Sequence, residues 1–205
     1  MGVREPTTPR RAPARARTVA SFYAALLLIG FFWHATAQGT NDVWRLDPDQ
    51  TWMTLAWTPL VGVAFGLLTV QVFRGLEVHM AWLPELHREF RSIFGRPHSA
   101  ELVLLAAASA LGEEILFRGA MLDAWGLWVS SLVFALLHIP PRASLWPWTA
   151  SSLVLGLCLG GLTLATGNLG AAVAAHFVIN LQNLNYITRH RPRVSLRGPI
   201  RPADP

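Results

Sequence analysis

Between Ala106 and Leu122 the chain places two adjacent carboxylates and an arginine, Glu113, Glu114 and Arg118, inside an otherwise apolar segment of helix length. A bilayer-spanning helix needs about 20 mainly apolar residues, and one ionisable group near its centre costs about 2.5 to 3.5 kcal/mol on insertion scales. Three such groups in one segment must therefore face the inside of a bundle and find partners there. Glu114 and Arg118 stand four residues apart, on one helix face, and can neutralise each other. Glu113 points about 100° away from Glu114 on a helix of about 3.6 residues per turn, toward whatever neighbouring helices offer. The plainer reading of Glu113 is a second salt bridge, or a carboxylate at a water-exposed helix end.

Composition agrees that the solvent is a bilayer. Hydrophobic residues make up 52% of the chain and charged ones 14%, with a mean hydropathy of +0.36, whereas soluble domains carry about 25% charged residues. The expectation is one all-α, polytopic transmembrane helical bundle of about six spans plus one interfacial amphipathic helix. A pI of 10.9 would suit nucleic acid, but most of the basic residues, all of them arginine, sit in two tails and one loop. No nucleic-acid partner is expected; the partners are the lipid bilayer and a membrane-associated protein or peptide substrate. The single cysteine, Cys158, allows neither an internal disulfide nor a Cys-based metal site.

Residues 1–18, with five arginines among Pro, Thr and Ala, read as a disordered basic tail, and residues 188–205 as another. Between them, 19–187 form the membrane domain. The first span runs from Val19 to Ala37, too long for the 7 to 15 apolar residues usual in a signal peptide, and so reads as an uncleaved helix with His34 near the interface. The second runs from about Trp52 to Phe73. From Arg74 to His98 apolar residues interleave with charges, as in a helix lying in the membrane interface, with His79, His87 and His98 on its solvated surface. The remaining spans are about Ala100 to Leu122, Trp125 to Ile139, Trp148 to Thr166 and Leu169 to Ile187. Gly156-x-x-x-Gly160 permits close helix approach, and Gly167-Asn168 makes a turn. The distribution of arginines puts both tails and the Arg74 to Arg96 segment in the cytoplasm, with Asn41 to Gln50 outside, in a bacterial inner membrane.

Three more polar groups fall within apolar spans. His138 ends Phe134-Ala-Leu-Leu-His138, while His176 and Asn180 share a helix face four residues apart. Each histidine alone suits a hydrogen-bonded core position; together, consecutive helices delivering ionisable groups to one bundle interior point to function. Counting about 1.5 Å per residue from the membrane edges puts Glu113 and His176 each about 10 Å from the outer edge. By the same count His138 lies deeper, at about 16 to 20 Å.

Glu113-Glu114-x-x-x-Arg118, Phe134-x-x-x-His138 and His176-x-x-x-Asn180, in this order, resemble the three motifs of the CPBP intramembrane proteases, the family of CAAX prenyl endopeptidases and bacteriocin-processing enzymes. The resemblance covers about 100–186. It implies that Glu113 and His138 activate a water molecule, that His176 and Asn180 stabilise an oxyanion, and that Glu114 with Arg118 supports the site. The chain departs from better-known members in having no basic cluster between Arg118 and Phe134. The implied function is an intramembrane endopeptidase that matures a membrane-associated or lipidated protein or removes a C-terminal sorting signal, as myxosortases do. Peptide hydrolysis needs a base for water and donors for the tetrahedral oxyanion, and these residues offer both. No metal is expected; the competing mechanism is zinc held by Glu113, His138 and His176 with an open fourth position, although the His-Glu-x-x-His pattern of zincins does not occur. Two other function classes fit an ionisable bundle interior. One is a proton-coupled carrier, whose usual internal repeats are not found here; the other is an inactive immunity or scaffold protein of the same fold, which the intact motifs disfavour.

Overall fold

The computed structural model describes residues 12–95, 97–140 and 142–189. They form an all-α bundle whose helices are α1 (Ala12–Gln38), α2 (Trp52–Leu76), α3 (Leu83–Phe94), α4 (Ser99–Glu114), α5 (Leu122–Leu136), α6 (Trp146–Thr166) and α7 (Gly170–Arg189). A seven-residue π-helix, Ile115–Met121, joins α4 to α5 without a break. Among the described residues the sole β-type pairing is one bridge between Arg45 and Asn168.

Among the described residues three stretches are long and apolar enough to cross a bilayer: Arg17–Gln38, Trp52–His79 and Ala143–Thr166. Their outward faces carry exposed Leu28, Phe32, Leu60, Leu68, Val154 and Leu164, which is how a helix presents itself to lipid rather than water. The chain is an integral membrane protein. α4, the π-helix and α7 instead hold most of the buried charge and lie inside, α4 between α1 and α7.

Most of the two expected tails lies outside the described residues. Where the structure reaches them, it departs from expectation: helix α1 begins at Ala12, ahead of the expected start at Val19, and α7 continues to Arg189. Ala and Arg propagate a helix well, and Pro13 sits in the first turn, where its missing N–H costs nothing. The Arg74 to His98 segment is also more broken than one helix. α2 runs to Leu76, a 3-10 turn follows, and α3 is the amphipathic piece. His87 is buried on it, not solvated; burial pushes its imidazole below the usual range, with Glu77 opposing and Arg74 and Arg91 adding.

Close packing follows the small residues. A Cβ on Gly62 or Gly66 of α2 would run into the backbone of Ala171 or Ala175 of α7, so these helices touch along paired i,i+4 small residues. Gly156 and Gly160 do the same for α6, meeting Ser131, Phe134 and Leu127 of α5 as the sequence pattern anticipates.

The third and fourth passes divide at Gly126, whose φ of 78° and ψ of 174° lie where residues with a Cβ rarely go. Glu113 is thirteen residues before this break and His138 twelve after it. A hairpin folded there brings the two to matching depth wherever the membrane edges fall, which removes the mismatch that counting from those edges produces.

Segments expected on one side gather at one end. Arg91 of α3 donates to the Ile187 carbonyl, Arg189 to Ser99, and Arg142 pairs with α3. At the other end, Leu46 N–H donates to Gly167 O and Gln38 bonds Asp123.

Candidate active site

Glu114 is the centre of the buried polar cluster. It is wholly buried, and Arg118, one helical turn on, is 1% exposed. Arg118 donates to Glu114 Oε1 at 3.0 Å and to the Gly156 carbonyl at 3.1 Å, so α4 and the π-helix are tied to α6. The Gly156 carbonyl is reachable because no side chain stands between it and α5. On its other side Arg118 lies over the Phe134 ring, 4.6 Å from the centroid, a cation–π contact that completes its desolvated surroundings.

The same Oε1 accepts from His176 Nδ1 at 2.6 Å. A carboxylate can only accept, so Nδ1 carries hydrogen and the ring is held with Nε2 turned toward Glu113 Oε2, 3.6 Å away. That separation is an ion-pair distance, too long for a direct hydrogen bond. Glu114 Oε2 has no partner.

His138 ends α5 from the opposite side. Its Nδ1 lies 2.7 Å from the Phe134 carbonyl, which fixes the hydrogen on Nδ1 and leaves Nε2 with a lone pair. The ring stacks at 4.5 Å against Phe134, whose ring is also 6.3 Å from His176. Phe134 therefore separates and aligns the two histidines, and both act electrostatically on Glu113. Asn180, one turn beyond His176, donates one amide hydrogen to Ser109 Oγ at 2.9 Å and keeps a second for other use.

The structure thus brings together all six residues singled out in the sequence. It adds others. Ser109, four residues before Glu113 on the same face of α4, anchors Asn180; its i,i+4 spacing was the available signal. Tyr23 of α1 interacts electrostatically with Glu113, and the backbone of Gly112 is packed against Tyr23. His34 is buried, not interfacial: its Nδ1 donates to the Gly119 carbonyl at 2.9 Å, within the π-helix. Neither Tyr23 nor His34 had a spacing that linked it to the motifs. Among the described residues no three His, Cys, Asp or Glu side chains come together as a metal-holding group.

Residues 97–182 match the family model of the type II CAAX prenyl endopeptidase Rce1-like proteins. The matched segment, somewhat under half of the chain, is similar to that family. All three motifs fall within it, in agreement with the resemblance read from them. A curated relative, the uncharacterized protein YpbD of Bacillus subtilis (strain 168), is 34% identical over 90 residues, 44% of this chain and 47% of that protein. The chain thus spans about half the length of the curated relative it matches. No solved structure matches it. Helices α1, α2 and α3 precede the matched segment, yet α1 supplies both Tyr23 and His34 to its walls.

Proposed function

We propose that this protein is an intramembrane endopeptidase that hydrolyses a peptide bond of a membrane-associated protein or peptide by metal-free water activation. The observation that carries the reading is the double use of Glu114 Oε1, which binds Arg118 and His176 Nδ1 together and so turns His176 Nε2 toward Glu113. The match of 97–182 to a prenyl endopeptidase family supports it.

A water oxygen placed between Glu113 and His138 gives one proton to the Glu113 carboxylate while its other hydrogen is held by His138 Nε2. Its attack on the carbonyl carbon generates a tetrahedral oxyanion. The donors for that oxygen are His176 Nε2–H and the free amide hydrogen of Asn180. For Nε2 to donate while Nδ1 bonds Glu114, His176 must be an imidazolium. That choice also balances the cluster, with Glu113 and Glu114 negative and Arg118 and His176 positive. Glu113 then passes its proton to the amine nitrogen as the C–N bond breaks, leaving a carboxylic acid, whose hydroxyl hydrogen is the one held by His138, and a free amine. Substrates of this site are lipidated C-termini, maturing peptides or C-terminal sorting signals, which share a scissile bond held near the bilayer.

Comparing the termini of membrane proteins in cells that carry the wild type or Glu113→Gln tests the reading. The variant keeps the shape and loses the base, so cleavage falls by about 10²-fold or more at unchanged melting temperature. Chelator leaves the purified wild type active. Normal cleavage by Glu113→Gln would sink the glutamate assignment, and activity lost to chelator and restored only by zinc would sink the metal-free one.

We also place both termini and α3 in the cytoplasm of a bacterial inner membrane, because Arg74, Arg91, Arg142 and Arg189 gather at one end and Asp42, Asp47, Asp49 and Asp123 at the other. Single cysteines at Ser195 and Thr40, on a Cys158→Ala background, are labelled in intact cells with an impermeant thiol reagent. Only the Thr40 position should react; reaction at Ser195 alone reverses the orientation.

A further inference from the structure

α3 lies before the matched segment, and the connection between α5 and α6 that carries His138 is held against it at two points. The first is ionic. Arg142 reaches Glu85 at 3.3 Å and also pairs with Glu89, two carboxylates on one face of α3. The second is aromatic. Phe90 of α3 meets the Trp148 ring edge-on at 5.5 Å, and Trp148 in turn meets the His138 ring edge-on at 5.5 Å. Phe94 stacks on Phe90 one turn further along. Next to Trp148, Thr149 donates to the His138 backbone carbonyl at 2.8 Å.

His138 is therefore confined on two faces. Phe134, from its own helix, forms one wall, and Trp148 forms the other, with α3 behind it. The 3-10 turn Ala143–Leu145, with Leu145 buried, leads directly into α6. Misplacing a group that orients the attacking water by about 1 Å costs on the order of 10²-fold in rate, so an element that fixes His138 from outside the matched segment has leverage over the reaction.

We propose that α3 is a clamp that positions His138, acting through the Arg142 pairs with Glu85 and Glu89 and through the Phe90–Trp148 contact. The proposal rests on the peptidase reading for its kinetic consequence, but not for its structural one. Arg142, Trp148, Glu85, Glu89 and Phe90 are positioning residues and none of them touches the substrate. Because Arg142 is 56% exposed, the ionic point is screened by salt, and α3, lying in the membrane interface, passes disturbance of the bilayer surface to His138.

The test uses the full chain in lipid nanodiscs. Arg142→Glu sets a like charge against Glu85 and Glu89 and should lower kcat by about two- to five-fold, the scale of a half-exposed ion pair, with KM and melting temperature little changed. Adding Glu85→Arg and Glu89→Arg restores the pairing with inverted sign and should restore kcat. Trp148→Ala should lower kcat further than Trp148→Phe, which keeps a ring against His138. A second readout does not require cleavage: acylation of His138 by diethyl pyrocarbonate, mapped by mass spectrometry, should rise in Arg142→Glu and Trp148→Ala and fall back in the charge-swapped triple variant. Labelling that follows these variants in a protein that cleaves nothing upholds the clamp and overturns the peptidase reading. Unchanged labelling and unchanged kcat in Arg142→Glu and Trp148→Ala overturn the clamp, as does failure of the charge swap to restore either.

Discussion

Asn168 and Glu114 are both wholly buried polar side chains, but their surroundings differ in kind. Asn168 sits at the turn between α6 and α7 and is neutral and satisfied. Its Oδ1 accepts from Thr58 Oγ1 and Gly170 N–H, each at 2.9 Å, and its Nδ2 donates to Gln50 Oε1 and the Thr166 carbonyl. Gln50 also donates to Thr166 O at 2.6 Å, so α2, the loop before it and the α6–α7 turn are locked together. Glu114 is charged, shares one oxygen between Arg118 and His176, and leaves the other without a partner. Each buried polar group left unsatisfied costs about 1 to 3 kcal/mol, a cost Asn168 avoids through neutral hydrogen bonds, whereas Glu114 keeps its charge in hydrocarbon only through Arg118 and His176. The neutral knot sets where α7 starts and hence where His176 and Asn180 lie.

Three substitutions sharpen the contrast. Arg118→Ala should have the largest effect on stability, because it strands Glu114 as a buried charge, a loss of about 3 to 5 kcal/mol. Its signature is a lowered melting temperature in detergent together with lost cleavage; a stable, inactive variant would mean that Arg118 acts on the reaction and not on the fold. Asn168→Ala orphans the Thr58 hydroxyl and the Gly170 N–H and should cost about 1 to 3 kcal/mol, seen as a lower melting temperature with cleavage retained below it. Loss of activity at full stability would contradict the structural role given to the knot. The smallest effect belongs to the half-buried pair of Asp42 and Arg45 in the outer loop. Partial burial alone would raise the Asp42 carboxyl, but hydrogen bonds and charge from Arg45 outweigh it and hold the group below the usual carboxylate range. A carboxyl depressed in the folded state stabilises above its unfolded value and loses that contribution as pH falls through the folded one. Asp42→Asn should therefore narrow the difference in melting temperature between neutral and acidic pH, by less than about 1 kcal/mol; an unchanged pH dependence removes Asp42 from the account.

The legible part of the site was the part written at helical spacing. Glu114 and Arg118, His176 and Asn180, and Phe134 and His138 are each i,i+4 pairs, so each pair's shared face could be read without knowing the packing. Ser109 with Glu113 had the same signal. Counting from the membrane edges set His138 apart from Glu113 and His176, because those edges are poor rulers, whereas the hairpin at Gly126 measures both limbs from one point. His34 and Tyr23 were illegible for another reason: their partners, Gly119 and Glu113, are more than eighty residues away in sequence, and one of those partners is a backbone carbonyl.

The sequence by itself determined that this chain lives in a bilayer, that its ionisable groups must meet inside a helical bundle, and which of them share a face, because hydrocarbon penalises charge and helical periodicity is local. Only the tertiary structure decided that one oxygen of Glu114 serves both Arg118 and His176, that a π-helix follows the glutamates, and that α1 and α3 wall the core from outside it. Those outcomes depend on where small residues let backbones approach and on which distant carbonyl or ring then lies within reach. No local spacing encodes that.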